Sequence, residues 1–258
     1  MKIEFSKYHG TGNDFIILDN RNDQYSNLSI QQVNFLCDRR FGIGGDGLMM
    51  LENEEGFDFR MRYYNADGKE GSMCGNGGRC LVQFAKDAGI VKSTYHFIAM
   101  DGPHDAAILE NGLIKLKMQD VSGIEEIGKI KILNTGSPHY IQQVENVADI
   151  DVFNMGRSIR YNETYNSTGI NVNFVEKTND GIRIRTYERG VEDETLSCGT
   201  GATAAALASS ERDGNQRINV KVQGGTLQIE FDRISHQKFQ NIWLIGPAQF
   251  VFTGNISI

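Results

Sequence analysis

Two cysteines stand at the start of similar glycine-rich segments, and their type and spacing suit acid–base chemistry. The first segment is Cys74-Gly-Asn-Gly-Gly-Arg79 and the second is Cys198-Gly-Thr-Gly-Ala-Thr203. Each opens a predicted helix, because apolar and small residues follow in the pattern of a helix. A cysteine at a helix start lies where backbone N–H groups and the helix dipole stabilise a thiolate. Each thiol is therefore suited to act as a base.

The same helix starts are suited to bind an anion, because glycine has no side chain to obstruct an approaching carboxylate. If the two helix starts face each other, one carboxylate bridges them and the two thiols flank its α-carbon. That arrangement suits a two-base racemisation, in which one thiolate removes the α-proton and the opposite thiol delivers a proton to the other face. The glycines concerned are Gly75, Gly77, Gly199 and Gly201.

The residues alone leave other interpretations of the two cysteines open. They could be buried structural thiols or a thiol–disulfide redox pair, or one of them could be a nucleophile with His139 as its base. A non-enzymatic protein that binds small carboxylates would keep the anion site but would have no use for paired thiols. With no Cys-x-x-Cys pair and five scattered histidines, we expect no metal site.

The elements around the two cysteines also repeat. Phe59–Asn65 and Ile182–Glu188 alternate apolar and polar residues and are predicted strands, and each precedes a cysteine-led helix and a later hairpin. The two copies are offset by the 124 residues that separate Cys74 from Cys198. We therefore predict an α/β (α+β) fold of two pseudo-symmetric lobes from an internal duplication, each a mostly antiparallel β-sheet around a central helix, with the active site in the cleft between the lobes.

The predicted boundary between the lobes follows residue 118. Residues 1–118 form the N-terminal lobe, which the last strand at 248–258 is expected to complete, and residues 119–247 form the C-terminal lobe. The alternating stretch Ile108–Met118 is predicted as a strand, and Gly214 is predicted to end the second cysteine-led helix.

A shorter helix is predicted over Ile30–Arg40, with Ser29 as N-cap and an inward-facing stripe that runs from Ile30 to Cys37. Cys37 is accordingly interpreted as a buried structural thiol. The segment Gly42–Gly47 matches the pattern G-x-G-x-x-G, but a helix precedes it and a strand follows. That order is the reverse of a dinucleotide site, so we predict a tight turn.

Composition narrows the class of partner. The 258 residues carry 26 Lys and Arg against 33 Asp and Glu, a net charge of −7 that disfavours nucleic acid or an anionic membrane surface. The N-terminus lacks the apolar run of a signal peptide, and no stretch approaches the roughly 18 apolar residues of a membrane span. We expect a cytoplasmic protein with reduced cysteines and a small-molecule substrate.

Three motifs together resemble the diaminopimelate epimerase family. They are His9–Phe15 (HGTGNDF), Met73–Cys80 (MCGNGGRC) and Glu188–Ala202 (ERGVEDETLSCGTGA), and the resemblance extends from Lys7 to Gly225. It implies a cofactor-independent isomerase that converts LL-diaminopimelate to the meso isomer for lysine and peptidoglycan synthesis. It also implies two pseudo-symmetric α/β lobes and a homodimer.

The resemblance implies a role for particular residues. Cys74 and Cys198 match the two catalytic bases, and His139 and Glu188 match residues that modulate them. Glu188 suits the distal ammonium of the substrate, and Arg189 suits its distal carboxylate through a charge-assisted fork. The positions that match the substrate-binding shell are Asn13, Asn65, Gly75, Asn76, Asn171, Glu188, Arg189, Gly199 and Thr200.

Two positions depart from the family pattern, and one related family is the main alternative. Some members have Gln in place of Gly47 and Asn in place of Ser137, so substrate hydrogen bonds are expected to differ there.

A proline racemase-like enzyme uses the same two-thiol chemistry, but that family has His in place of Asn76 and lacks the Glu-Arg-Gly strand end.

Overall fold

A computed structural model describes all 258 residues of the chain. The chain divides into two compact units. The first consists of Met1–Leu116 together with Gly246–Ile258, and the second of Lys117–Ile245. None of the helices has the length and apolar character needed to cross a membrane.

The first unit is built on a mixed β-sheet. Its strands are β1 (Lys2–Gly10), β2 (Asn13–Asp19), β3 (Gly47–Glu52), β4 (Phe59–Asn65), β5 (Glu70–Gly71), β6 (Thr94–Ala99), β7 (Gly102–Ile108), β8 (Ile114–Lys117) and β19 (Gln249–Ser257). Strand β1 pairs antiparallel with both β19 and β2, β2 runs parallel to β3, β3 antiparallel to β4, and β4 parallel to β6. The hairpin β1–β2 turns at Thr11 and Gly12, whose φ values of 51° and 87° match a type I′ turn.

Two helices complete the first unit. Helix α1 (Ile30–Cys37) starts with a capping box formed by Ser29 and Gln32. It ends three residues before the predicted end at Arg40, because the Asp38 carboxylate accepts the next backbone N–H groups in a turn. The prediction that Ile30 faces inward was wrong, since that side chain is 53% exposed and the buried face begins at Val33.

Helix α2 (Gly75–Asp87) is the main helix of the first unit and packs on β1, β2 and β3. Its predicted apolar stripe is buried at Leu81, Phe84 and Ala85, as a helix that covers one face of a sheet requires. The chain leaves the helix through Gly89, which has the positive φ of 97° that glycine tolerates best.

The second unit repeats this plan. Its strands are β9 (Val121–Ser122), β10 (Glu125–Ile127), β11 (Ile130–Asn134), β12 (Pro138–Gln143), β13 (Asn171–Thr178), β14 (Gly181–Glu188), β15 (Asp193–Thr195), β16 (Gly214–Val222), β17 (Gly225–Ser235) and β18 (Lys238–Gly246). Strands β11 and β12 are antiparallel, β12 and β13 parallel, β13 and β14 antiparallel, and β14 and β16 parallel. The same alternation occurs from β1 to β6, which confirms the predicted duplication. Each unit's strands pair mostly antiparallel, as predicted, with two parallel pairings in each.

The helices of the second unit are α3 (Val152–Arg160) and α4 (Gly199–Ser209), and a 3₁₀ turn at Val147–Asp149 precedes α3. Helix α3 was not predicted, although it lies between β12 and β13 just as α1 lies between β2 and β3. Helix α4 ends at Ser209 and not at Gly214, which instead begins β16.

One predicted strand is two strands. The stretch Ile108–Met118 is broken by a turn in which the N–H of Gly112 donates to the carbonyl of Leu109 at 2.9 Å. Gly112 has a φ of 80°, which a strand does not accommodate. Strand β7 therefore ends at Ile108, and β8 begins at Ile114.

Candidate active site

Cys74 occupies the N-cap of α2. Its extended backbone, with φ −91° and ψ 129°, places its carbonyl to accept the N–H of Gly78 at 2.7 Å. The N–H groups of a helix's first turn have no acceptor within the helix, so they point past the N-cap residue. Cys74 is partly exposed and lies beside the first-turn N–H groups of α2, the kind of groups that bind anions at helix starts.

Asn13 and Asn76 contact each other beside this thiol. The Asn13 Oδ1 accepts from the Asn76 Nδ2 at 3.2 Å and from the Cys74 Sγ at 3.7 Å. The positive-φ turn of the β1–β2 hairpin delivers Asn13 to this place, because Asn13 is the first residue of β2. Asn13, Cys74 and Asn76 are thus brought together by the first unit.

Asn65 lies at the end of β4, exposed and opposite Gly47 in the strand register. A Cβ atom at position 47 would come within 2.6 Å of the Tyr63 ring and of the Tyr64 carbonyl. The glycine that stands where some family members have Gln therefore fits the packing of this chain, and the Tyr63 ring fills the space that a longer side chain would need.

Arg79 is a fully buried cation in the first turns of α2. Its guanidinium donates to the Asn76 Oδ1 at 3.0 Å and to the Gly75 carbonyl at 3.2 Å. Burial lowers the pKa of Arg79 to about 10, which still leaves it charged at neutral pH. A buried positive charge at this place favours anions near the start of α2.

The other two thiols of the first unit are buried. Burial raises the pKa of Cys37 to about 12, and it raises the pKa of Cys80 to about 12 as well. Both side chains are therefore neutral thiols at neutral pH, in agreement with the structural role expected for Cys37.

Cys198 is the equivalent residue of the second unit and occupies the N-cap of α4. Its Sγ lies 3.5 Å from the Thr200 hydroxyl, and its carbonyl accepts the N–H of Ala202 at 2.8 Å. The side chain of Thr135 donates to the Thr200 carbonyl at 2.9 Å, which ties the first turn of α4 to the segment after β11.

Glu188 and Arg189 lie at and just after the end of β14. The Glu188 carboxylate accepts from the Thr195 hydroxyl at 2.9 Å. The exposed guanidinium of Arg189 donates to the Thr168 carbonyl at 3.2 Å and to the Ser137 hydroxyl at 3.3 Å. These contacts hold a carboxylate and a guanidinium at one strand end.

Asn171 organises the same strand end from within. Its amide donates to the Ser137 hydroxyl at 2.8 Å and to the Pro138 carbonyl at 3.1 Å, and its Oδ1 accepts the N–H of Arg189 at 2.9 Å. The side chain is 3% exposed. Because both amide hydrogens are committed, Asn171 positions Ser137 and Arg189 through these contacts.

His139 is buried beside Asn173 on the parallel strands β12 and β13. The amide of Asn173 donates to the His139 Nδ1 at 3.2 Å, and its Oδ1 accepts from Thr186 at 2.9 Å. Burial, with a smaller contribution from the charge of Arg189, lowers the pKa of His139 to about 3. The ring is therefore neutral, and any influence on the thiols comes through hydrogen bonding and packing.

Sequence reasoning missed two residues of this arrangement. Asn173 lies two positions after Asn171 on the same strand. Alternate residues of a strand face the same side, so this spacing could have indicated that Asn173 lies on the same face as Asn171. Asp46, whose carboxylate accepts from Asn13 at 2.6 Å, was seen only as part of a glycine turn. Its contact spans 33 residues of chain, and no local pattern reports it.

In each unit a cysteine caps a glycine-led helix that follows a β-hairpin. Polar groups from neighbouring strands lie beside each helix start. Such a duplicated α/β fold with one cysteine-led helix in each half defines the epimerase-like class. Within this class the chain belongs to the diaminopimelate epimerase family, because the family model described as Diaminopimelate epimerase matches residues 5–124 and 131–251. This confirms the resemblance carried by the motifs.

Individual relatives agree with this assignment. The chain is 51% identical to a diaminopimelate epimerase of Flavobacterium psychrophilum, over 98% of this chain and all of the relative. It is 44% identical to the diaminopimelate epimerase of Chlorobaculum tepidum, over 96% of this chain and 99% of the relative.

Solved structures at low identity share the fold. A phenazine biosynthesis protein of the PhzF family from Bacillus anthracis superimposes with a TM-score of 0.78 at 15% identity and full coverage of both chains. A hydroxyproline epimerase from Agrobacterium vitis gives a TM-score of 0.69 at 12% identity, covering 100% of this chain and 93% of that one.

Proposed function

We propose that this chain inverts one α-carbon of LL-diaminopimelate to give the meso isomer, with Cys74 and Cys198 as the two bases and without a cofactor. The observation that carries the proposal is that a diaminopimelate epimerase-family chain places a cysteine at the helix N-cap in both of its repeats. A thiol on each face is the requirement for inversion by two bases.

The helix starts supply the binding energy for the reacting end of the substrate. N–H groups of the first turns hold the α-carboxylate, and hydrogen bonding to its oxygens stabilises the charge that develops when the α-proton leaves. Among the residues that build these turns, Asn76 accepts from Arg79 and Thr200 is held through its carbonyl by Thr135. Gly75 and Gly199 leave room for the carboxylate.

The proton steps balance within one turnover. A thiolate takes the α-proton and becomes a thiol, while the opposite thiol gives its proton to the other face and becomes a thiolate. The product therefore carries a proton that came from the enzyme, and the protonation states of the two cysteines are exchanged. The mechanism requires both sulfurs to reach one α-carbon.

The distal end of the substrate determines selectivity. Arg189 pairs with the distal carboxylate and Glu188 with the distal ammonium, while Asn65, Asn13 and Asn171 form or support the remaining hydrogen-bonding shell. Proline has neither a second carboxylate nor a second ammonium, so a proline racemase-like activity gains nothing from Glu188 and Arg189. Diaminopimelate is accordingly the preferred substrate.

We also propose that the enzyme works as a cytoplasmic homodimer on this small molecule, in lysine and peptidoglycan precursor synthesis, without nucleic-acid or membrane partners. All four cysteines are free thiols, and the two bases need a reducing compartment to stay so. Phe250, Val251 and Phe252 are 53%, 49% and 44% exposed, which is apolar surface of the kind that subunit contacts cover. Light scattering after gel filtration tests the dimer.

The activity is tested by incubating the protein with LL-diaminopimelate in deuterated water. We expect meso product on chiral chromatography and loss of the α-proton signal by NMR, undiminished after dialysis against EDTA or treatment with a carbonyl reagent. L-Proline, tested in parallel, should stay unchanged. Efficient proline racemisation with inert diaminopimelate would instead establish the alternative activity.

A further inference from the structure

The carboxamide of Asn13 contacts three polar side chains. Its Oδ1 faces the Cys74 Sγ at 3.7 Å and the Asn76 Nδ2 at 3.2 Å, while its Nδ2 donates to the Asp46 Oδ2 at 2.6 Å. An ionised carboxylate only accepts hydrogen bonds, so Asp46 requires the amide nitrogen on its own side. The amide oxygen is thereby directed at the thiol.

The Asp46 carboxylate is itself fixed. Its Oδ1 pairs with the Arg39 guanidinium at 2.7 Å, and its Oδ2 also accepts the backbone N–H of Asp14 at 3.2 Å. Arg39 further binds Asp14 through two hydrogen bonds, and the buried Lys7 ammonium lies 2.8 Å from Asp14. Burial opposes ionisation of Asp14, but the bonds from Arg39 and Lys7 prevail and lower its pKa to about 2. Asp46 thus belongs to an ordered ion-pair network.

The Asn13 oxygen stabilises Cys74 only in its protonated, thiol form. A carbonyl oxygen cannot donate, so the contact is a hydrogen bond only when Cys74 carries its proton. Two features of α2 act in the opposite sense, since the helix start and the buried Arg79 both favour a thiolate. Cys80, whose thiol interacts electrostatically with Cys74, stays neutral because burial raises its pKa to about 12.

We propose that Asp46 is a positioning residue for the reaction: by holding the Asn13 oxygen towards Cys74 it biases that cysteine to the thiol form, and so makes the two bases unequal before substrate binds. Cys198 lies instead beside the Thr200 hydroxyl, which is able to donate to a thiolate. A two-base reaction needs one protonated and one ionised thiol at its start. This inference rests on the proposed two-base function.

The test is the pH dependence of alkylation of Cys74 by iodoacetamide in the free enzyme. Trypsin separates Cys74 from Cys80 because Arg79 lies between them, so mass spectrometry follows Cys74 alone. We expect Asp46→Ala and Asn13→Ala each to lower the half-maximal pH by about half a unit or more, a threefold change in thiolate fraction. The double variant should show no further fall.

The variants separate orientation from charge. Asp46→Asn keeps a carbonyl acceptor for the Asn13 amide but removes the charge, so its midpoint should stay closer to the wild type than that of Asp46→Ala. Glu55→Ala removes another exposed carboxylate of the same unit and should leave the midpoint unchanged. Circular dichroism checks that each variant is folded.

Two results would overturn the positioning role. One is an unchanged Cys74 midpoint in Asn13→Ala. The other is that Asp46→Ala and Asp46→Asn lower the midpoint equally and do so even when combined with Asn13→Ala, which would indicate that Asp46 acts through its charge alone. The alkylation is measured without substrate, so its outcome does not depend on turnover. Absence of epimerase activity in the wild type would contradict the proposed function separately.

Discussion

The side-chain nitrogen of Asn173 lies 3.2 Å from the His139 Nδ1, and an amide nitrogen only donates, so the imidazole carries its proton on Nε2. The Asn173 amide cannot turn to offer its oxygen instead, because its nitrogen also donates to the Tyr140 carbonyl at 3.1 Å, and a carbonyl only accepts. The His139 Nε2 is buried without a hydrogen-bond partner. This neutral, buried ring makes folding sensitive to acid.

His139 should contribute a pH-dependent part of the stability. Its pKa is about 3 in the folded chain, below the usual 6.5, so the unfolded chain binds the proton first as the pH falls. The stabilising contribution of the neutral His139 ring is fully present above about pH 6.5 and is lost progressively as the pH falls towards 3. In urea unfolding between those values, His139→Gln should reduce the slope of unfolding free energy against pH by up to about 1.4 kcal/mol per unit.

The exposed His236 provides the control for this measurement, and His236→Gln should keep the wild-type slope. Equal slopes for wild type and His139→Gln would show that protonation of His139 is not linked to folding.

Gly77 and Gly201 are equivalent positions of the two helix starts but differ in the space around them. A Cβ at Gly201 would lie 2.5 Å from the Asn173 Oδ1 and 3.3 Å from the Cys198 Sγ, whereas at Gly77 the nearest atom is the flexible Met49 sulfur at 3.1 Å. Alanine in a helix is favoured over glycine by about 1 kcal/mol, so Gly77→Ala should be near neutral. Gly201→Ala should lower the unfolding free energy by about 1–3 kcal/mol.

Thermal and urea unfolding of both alanine variants measure this difference. Comparable stability of Gly201→Ala and Gly77→Ala would contradict the tight contact between the start of α4 and Asn173.

Removal of the Arg189 guanidinium should weaken substrate binding. A charge-assisted hydrogen bond contributes roughly 1.5–3 kcal/mol, so Arg189→Ala should raise KM for LL-diaminopimelate about 10- to 150-fold. Arg189→Lys keeps the charge without the planar fork and should give an intermediate value. Steady-state kinetics of Arg217→Ala, which removes an exposed arginine from β16, serves as the comparison. A KM for Arg189→Ala within twofold of the wild type would exclude this role.

Local signals were enough to predict the cysteine-led helices. Glycines after Cys74 and Cys198, followed by apolar or small residues, produce the N-caps and the buried faces of α2 and α4. Helix α3 was not predicted because it is short, at nine residues, and two of its apolar side chains, Phe153 and Met155, are 40% and 37% exposed. Its place in the repeat was the stronger signal.

Contacts between distant segments could not be predicted in the same way. Asp46 reaches Asn13 because β2 and β3 pair in parallel, with Phe15 opposite Gly47, and that register is set by the whole sheet. The commitment of the Asn171 amide to Ser137 and Arg189 likewise depends on neighbouring strands. Residue types indicate which chemistry is available, and the sheet register decides which groups meet.

The proposed roles of Cys74 and Cys198 are tested most directly by the epimerisation rates of four single variants. With LL-diaminopimelate as substrate, Cys74→Ala and Cys198→Ala should each lose at least about 10²-fold in rate, because one base cannot serve both faces of the carbon. Cys37→Ala and Cys80→Ala should keep the wild-type rate once shown to be folded, since burial raises the pKa of both thiols to about 12 and keeps them neutral. A Cys74→Ala or Cys198→Ala enzyme that epimerises at the wild-type rate would contradict the two-base mechanism.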